Sequence, residues 1–124
     1  MVNWARGTLM AARISAVLLL VLGIAIWTGK ANELILVHIG LGLVFVIALW
    51  ALAAAAMGAG VNHALVVVAF CWGLVMPALG LLQASLVPGQ GHIAIQLLHL
   101  LVGLVGLALA ESLGRRMRLK GRPA

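Results

Sequence analysis

Two histidines, His38 and His99, constrain the chemistry of this 124-residue chain more than any other residues. Each lies inside a long apolar run, where an ionisable side chain is costly and faces the interior of a helix bundle. Each is followed four residues later by a glycine, Gly42 or Gly103, in a shared pattern His-x-x-x-Gly-Leu-Val. The preceding runs share a Leu-Gly pair, Leu22-Gly23 and Leu79-Gly80. In a chain this rich in leucine and glycine, such a duplication decides little alone. An imidazole without a polar neighbour binds a metal or finds a hydrogen-bond acceptor.

The elements that must position these residues follow from the breakers. Four apolar runs are expected as helices, at about 9–28, 31–57, 62–86 and 92–113. They are separated by Gly29-Lys30, Gly58-Ala59-Gly60 and Pro88-Gly89-Gln90-Gly91, and Asn62 is placed to cap the third. Pro77 falls inside the third helix and should bend it. Such short connections make consecutive helices antiparallel neighbours, which predicts an all-α, up-down-up-down four-helix transmembrane bundle occupying the whole chain as one domain. A basic cytoplasmic tail over 114–124 follows the last run.

In that arrangement the second and fourth helices are parallel and diagonal. His38 lies seven residues after Ala31 and His99 seven after His92. At 1.5 Å per residue, both imidazoles sit about 10 Å below their helix starts. Two histidines at one depth on opposite walls are what bis-imidazole ligation of a haem iron requires. Gly42 and Gly103, and Gly106 seven residues after His99, would leave room for a flat macrocycle. The alternative is a pair of buried histidines bonded to serine or backbone carbonyls, with the glycines serving close helix packing. A zinc site would need more ligands than this depth offers.

Around the pair, His92 is one heptad before His99, at the expected surface, where it either starts the helix or meets a haem propionate. Lys30 is the one cation near that surface, with Gln90 and Gln96 as neutral donors. His63 is expected at the opposite interface. Glu33 and Glu111 lie near helix ends and too shallow for a membrane proton relay. Trp4 and Trp27 suit the interfacial belts, and Trp50 and Trp72 suit deeper packing.

Composition excludes much else. Hydrophobic residues make up 65% of the chain and charged residues 8%, against about 25% charged in a soluble domain. A formal net charge of +6 could suggest nucleic acid, but Arg115, Arg116, Arg118, Lys120 and Arg122 all follow the last apolar run. Arg6 and Arg13 flank the first, so the basic residues read as topology anchors rather than a binding face. Both termini are then expected in the cytoplasm, with the histidines near the outer face of a bacterial inner membrane. The lone Cys71 carries no redox information. The first run is long for a signal-peptide core and ends at a poor cleavage site, so it reads as a retained helix.

Val37-His38-Ile39-Gly40-Leu41 and Leu98-His99-Leu100-Leu101-Val102-Gly103 resemble the two ligand positions in one four-helix half of haem A synthase, and Pro77-Ala78-Leu79-Gly80-Leu81-Leu82 resembles the helix that precedes the second. The resemblance implies two similar four-helix bundles in that family, each with haem-ligating histidines on its second and fourth helices. It also implies, for a single bundle, a homodimer. The family's substrate-binding half carries a carboxylate one turn before its first histidine. Here that position is Ile35, with Glu33 displaced by two residues, and the family's paired loop cysteines are absent.

The leading expectation is a membrane protein that binds haem b through His38 and His99, transferring electrons or holding haem within a larger redox complex, and not itself an enzyme. A second is a haem-modifying or quinone-reacting oxidoreductase, which would need acid–base groups beyond His92, Gln96 and Glu33. A third is a haem-free accessory subunit of a pigment complex. A proton-coupled transporter is disfavoured by the lack of a core carboxylate.

Overall fold

A computed structural model of the chain describes residues 3–87 and 89–121, the Gln90 side chain excepted; Pro88, expected in the last turn, and Arg122, expected in the basic tail, lie outside the described residues. The described residues form a four-helix bundle: α1 (Asn3–Trp27), α2 (Ile35–Gly58), α3 (His63–Leu82) and α4 (His92–Lys120). Short 3-10 turns at Asn32–Leu34, Gln83–Ser85 and Gly89–Gly91 complete the connections. With those turns the four segments run 23 to 29 residues, or about 35–43 Å at 1.5 Å per residue. Each is long and apolar enough to cross the ~30 Å hydrocarbon core of a bilayer.

The turns fall where glycine permits them. Gly29 and Gly60 sit at φ of +74° and +69°, in the left-handed region that ends helices at little cost for glycine alone. Asn62 caps α3, its side-chain oxygen accepting the Ala64 amide at 2.8 Å. α3 continues through Pro77, whose ring removes one amide donor from the helix ladder.

Helix ends differ from the sequence expectation in two ways: α2 starts at Ile35 rather than Ala31 and α3 stops at Leu82 rather than Leu86, with 3-10 turns taking most of those residues, whereas α1 and α4 run longer. α1 starts by Asn3 rather than Leu9, and α4 runs to Lys120, so residues 114–120 are helical and not a tail. Hydropathy marks where a helix would leave a membrane, not where its hydrogen bonds stop. Arginine and lysine are good helix formers, and Arg118 and Lys120 in the last turn of α4 suit its negative end.

α1 packs on α2 and α4, and so does α3. α2 and α4 also touch across one diagonal, while α1 and α3 share no contact among the described residues. Close approaches order the bundle into levels. Trp4 shares a groove with Met117 and Lys120, Leu9 packs on Gly114, and Arg13 pairs with Glu111. Phe45 and Met76 close on Gly106, and beyond them stand His38 and His99. We refer to the two ends as the basic end and the histidine end.

Within the four helices, fully buried residues lie on the basic side of the histidines, while Ala31 in the first turn is buried at the histidine end. In α1 the buried residues are Ala5, Leu9, Ala12 and Ser15, and none follows. In α2 they begin at Phe45, in α3 they stop at Met76, and in α4 they begin at Val102. Leu49, Leu52 and Leu113 are the largest fully buried side chains. Among the described residues, three polar ties join the helices. The Arg13 guanidinium holds both oxygens of Glu111 between α1 and α4, one at 2.9 Å. The Trp50 indole donates to the Phe70 carbonyl at 3.1 Å, and the Trp72 indole donates to the Val102 carbonyl at 2.9 Å. Trp50 and Trp72 therefore both pack and bond.

Candidate functional site

α2 and α4 bring His38 and His99 together on the diagonal, with ring centroids 6.3 Å apart and planes inclined by 46°. Both residues are half-buried, and the Nδ1 atom of each is buried without a hydrogen-bond partner. Buried polar atoms in folded proteins are nearly always paired, and an orphan calls for an explanation. Ser15 and Ser85 bond to carbonyls of their own segments. Among the described residues, neither Nδ1 atom meets a serine hydroxyl or a backbone carbonyl.

The spacing suits a shared ion. Two imidazoles ligating one metal from opposite sides, each through a bond of about 2.0 Å, place their centroids about 6 Å apart. Neither ring makes a hydrogen bond that fixes its tautomer, so either nitrogen can present its lone pair. Among the described residues no group of three or more His, Cys, Asp or Glu side chains could hold a metal. A bare ion would therefore have only these two protein ligands.

The glycines around the pair divide into three kinds. At Gly103 an added Cβ would meet nothing within 4 Å, and at Gly42 only the Leu19 side chain, at 3.9 Å. One helical turn beyond each histidine, no side chain closely fills the glycine position. Gly106 is different: a Cβ there would come within 2.6 Å of Met76 Sδ and 3.2 Å of Phe45. It serves helix packing, not the space assigned to it from sequence.

Gly23 and Gly80 form the third kind, and sequence reasoning missed their role. A Cβ on Gly23 of α1 would lie 3.4 Å from His38 Cε1, and one on Gly80 of α3 would lie 3.1 Å from His99 Cε1. Each histidine thus lies against a glycine of the preceding helix, which lets its ring approach a neighbouring backbone. The shared Leu-Gly pair was the available signal, and its meaning needed the packing of α1 on α2 and of α3 on α4.

The outlying candidates stay apart from the pair. His92 starts α4 and its Nδ1 lies 3.3 Å from the Leu86 carbonyl, tying the last turn to the helix. Lys30 is exposed in the first turn and makes no ion pair among the described residues. Gln96 is half-buried on α4, three residues before His99. Glu33 is exposed in the short turn before α2, and His63 is exposed at the start of α3. Glu111 and Arg13, read separately from sequence, are partners.

No protein-family model, curated protein or solved structure matches the chain. Its chemistry is argued from the residues themselves.

Proposed function

We propose that the chain spans a membrane four times in up-down-up-down order, with both termini cytoplasmic, and holds haem b between His38 and His99 near the opposite face. The observation that carries this is the facing pair of imidazoles, 6.3 Å apart with buried, unpartnered Nδ1 atoms, just beyond the last fully buried residues of the helices. The exposed apolar side chains on all four helices, among them Val17, Leu36, Leu74 and Leu101, suit lipid rather than water.

Haem iron supplies one-electron chemistry. Two protein imidazoles would hold the iron, which favours electron transfer or haem holding over activation of a bound substrate. His38 and His99 hold the ring from α2 and α4, Gly42 and Gly103 leave its faces clear, and Gly23 and Gly80 seat the two imidazoles. Lys30, Gln96 and His92 are the polar residues towards that face available to meet propionates. No carboxylate stands beside the pair, since Glu33 is in the turn and Glu111 is bonded to Arg13, which favours a carrier over an enzyme that modifies its haem.

Purification from haem-sufficient cells tests the proposal. The parent should be red, with a low-spin spectrum that sharpens on reduction, and His38→Ala and His99→Ala should each abolish that spectrum while membrane insertion is kept. A colourless parent, or alanine variants with the parental spectrum, would overturn it.

A further inference from the structure

The basic end carries a second feature that the histidine pair does not use. Gly60, Val61, Asn62, Arg116, Leu119 and Lys120 line a groove of about 470 Å³ between the α2–α3 turn and the end of α4. Arg116 and Lys120 lie one helical turn apart on α4 and so share a face. Among the described residues the Arg13–Glu111 pair is the one salt bridge, so neither groove cation has a counter-charge. Val61 and Leu119 give the groove an apolar wall, Leu119 being 59% exposed. Beyond Leu113 the helix leaves the apolar run, so the groove lies at the level of lipid headgroups when the helices cross a membrane.

We infer that this groove seats the phosphate of an anionic phospholipid between Arg116 and Lys120, with an acyl chain against Leu119. Guanidinium groups take phosphate oxygens in a two-pronged hydrogen bond, and an adjacent ammonium adds a point charge. The basic end matches such a ligand in sign: Arg6, Arg115 and Arg118 surround the groove's end of the bundle, and its one acid, Glu111, is already neutralised. The inference rests on membrane insertion and not on haem.

Retention of lipid by the full chain, purified in detergent and offered phosphatidylglycerol or phosphatidylcholine, provides the test, read by native mass spectrometry. The parent should retain phosphatidylglycerol selectively. Each cation near an anionic lipid surface contributes about fivefold in affinity, so R116Q/K120Q should weaken retention at least about tenfold. R115Q/R118Q removes the same charge from α4 outside the groove and should leave most of the selectivity intact. Arg116→Lys, which keeps the charge, should retain lipid and so guards against a folding artefact. Equal loss in both double variants would mean a diffuse basic surface and would overturn the site. So would a parent without preference for the anionic lipid. Displacement of the lipid by millimolar inorganic phosphate would overturn the lipid as occupant. Extraction of the parent with the membrane fraction checks insertion separately, so failure of that premise is distinguishable.

Discussion

The two halves of this bundle are built from the same residue types and behave differently. From Asn3 to Ser15 and from Val102 to Lys120, the helices bury alanine, leucine and glycine against one another. From Val17 to Trp27 and from His92 to Leu101, no residue is fully buried, although the composition is no less apolar. Glycines differ likewise in their neighbours: Gly106 and Gly114 are closely filled by Met76 and Leu9, whereas Gly103 has no neighbour within 4 Å and Gly42 has only Leu19, at 3.9 Å. Close packing supplies dispersion contacts that a gap forfeits. A half-bundle without them stays together when its connections hold it or when something else fills it. The haem proposed between the imidazoles would be such a filling.

The comparison breaks most readily at the core. Leu113→Ala at the basic end should destabilise by about 2–5 kcal/mol, the range for a fully buried leucine, whereas Leu101→Ala, at a site 58% exposed, should change thermal unfolding in detergent little. Equal effects would erase the distinction between the halves. Next in size, Gly103→Leu should lower haem content several-fold without loss of helix content, because its side chain would enter the open wall, as judged by the ratio of Soret to protein absorbance with circular dichroism as control. Unchanged haem content would place the ring elsewhere.

Smaller effects sharpen the comparison within the histidine end. Gly80→Ala should perturb the haem spectrum more than Gly23→Ala, since its methyl would lie 3.1 Å from His99 Cε1 against 3.4 Å from His38. The reverse order would show that the two ligands are not seated as described. Smallest of all, Arg13→Glu should lower the melting temperature modestly, and the exchange R13E/E111R should recover most of that loss. No recovery would mean that the pair does not tie α1 to α4.

Much of this fold is legible in the sequence. Glycine pairs and the Asn62 cap place the turns, because few residues adopt positive φ or offer a side-chain oxygen there. That His38 and His99 lie close enough to face each other agrees with counting at a fixed rise per residue. Helix ends were not legible at Arg6 or beyond Leu113, since the hydropathy boundary and the hydrogen-bond boundary are different physical limits. The Arg13–Glu111 pair was hidden for another reason: its partners are 98 residues apart, and their meeting depends on how α1 and α4 are rotated about their own axes. The seats at Gly23 and Gly80 depend on the same rotation, which weakly amphipathic helices do not announce.

The Trp72–Val102 hydrogen bond has an optical consequence. It fixes one indole on the segment of α4 that begins three residues beyond His99. The chain has four tryptophans and no tyrosine, so its near-ultraviolet emission comes from indoles alone. A porphyrin between the histidines would absorb at the wavelengths where that locked indole emits, making its fluorescence a built-in gauge of occupancy.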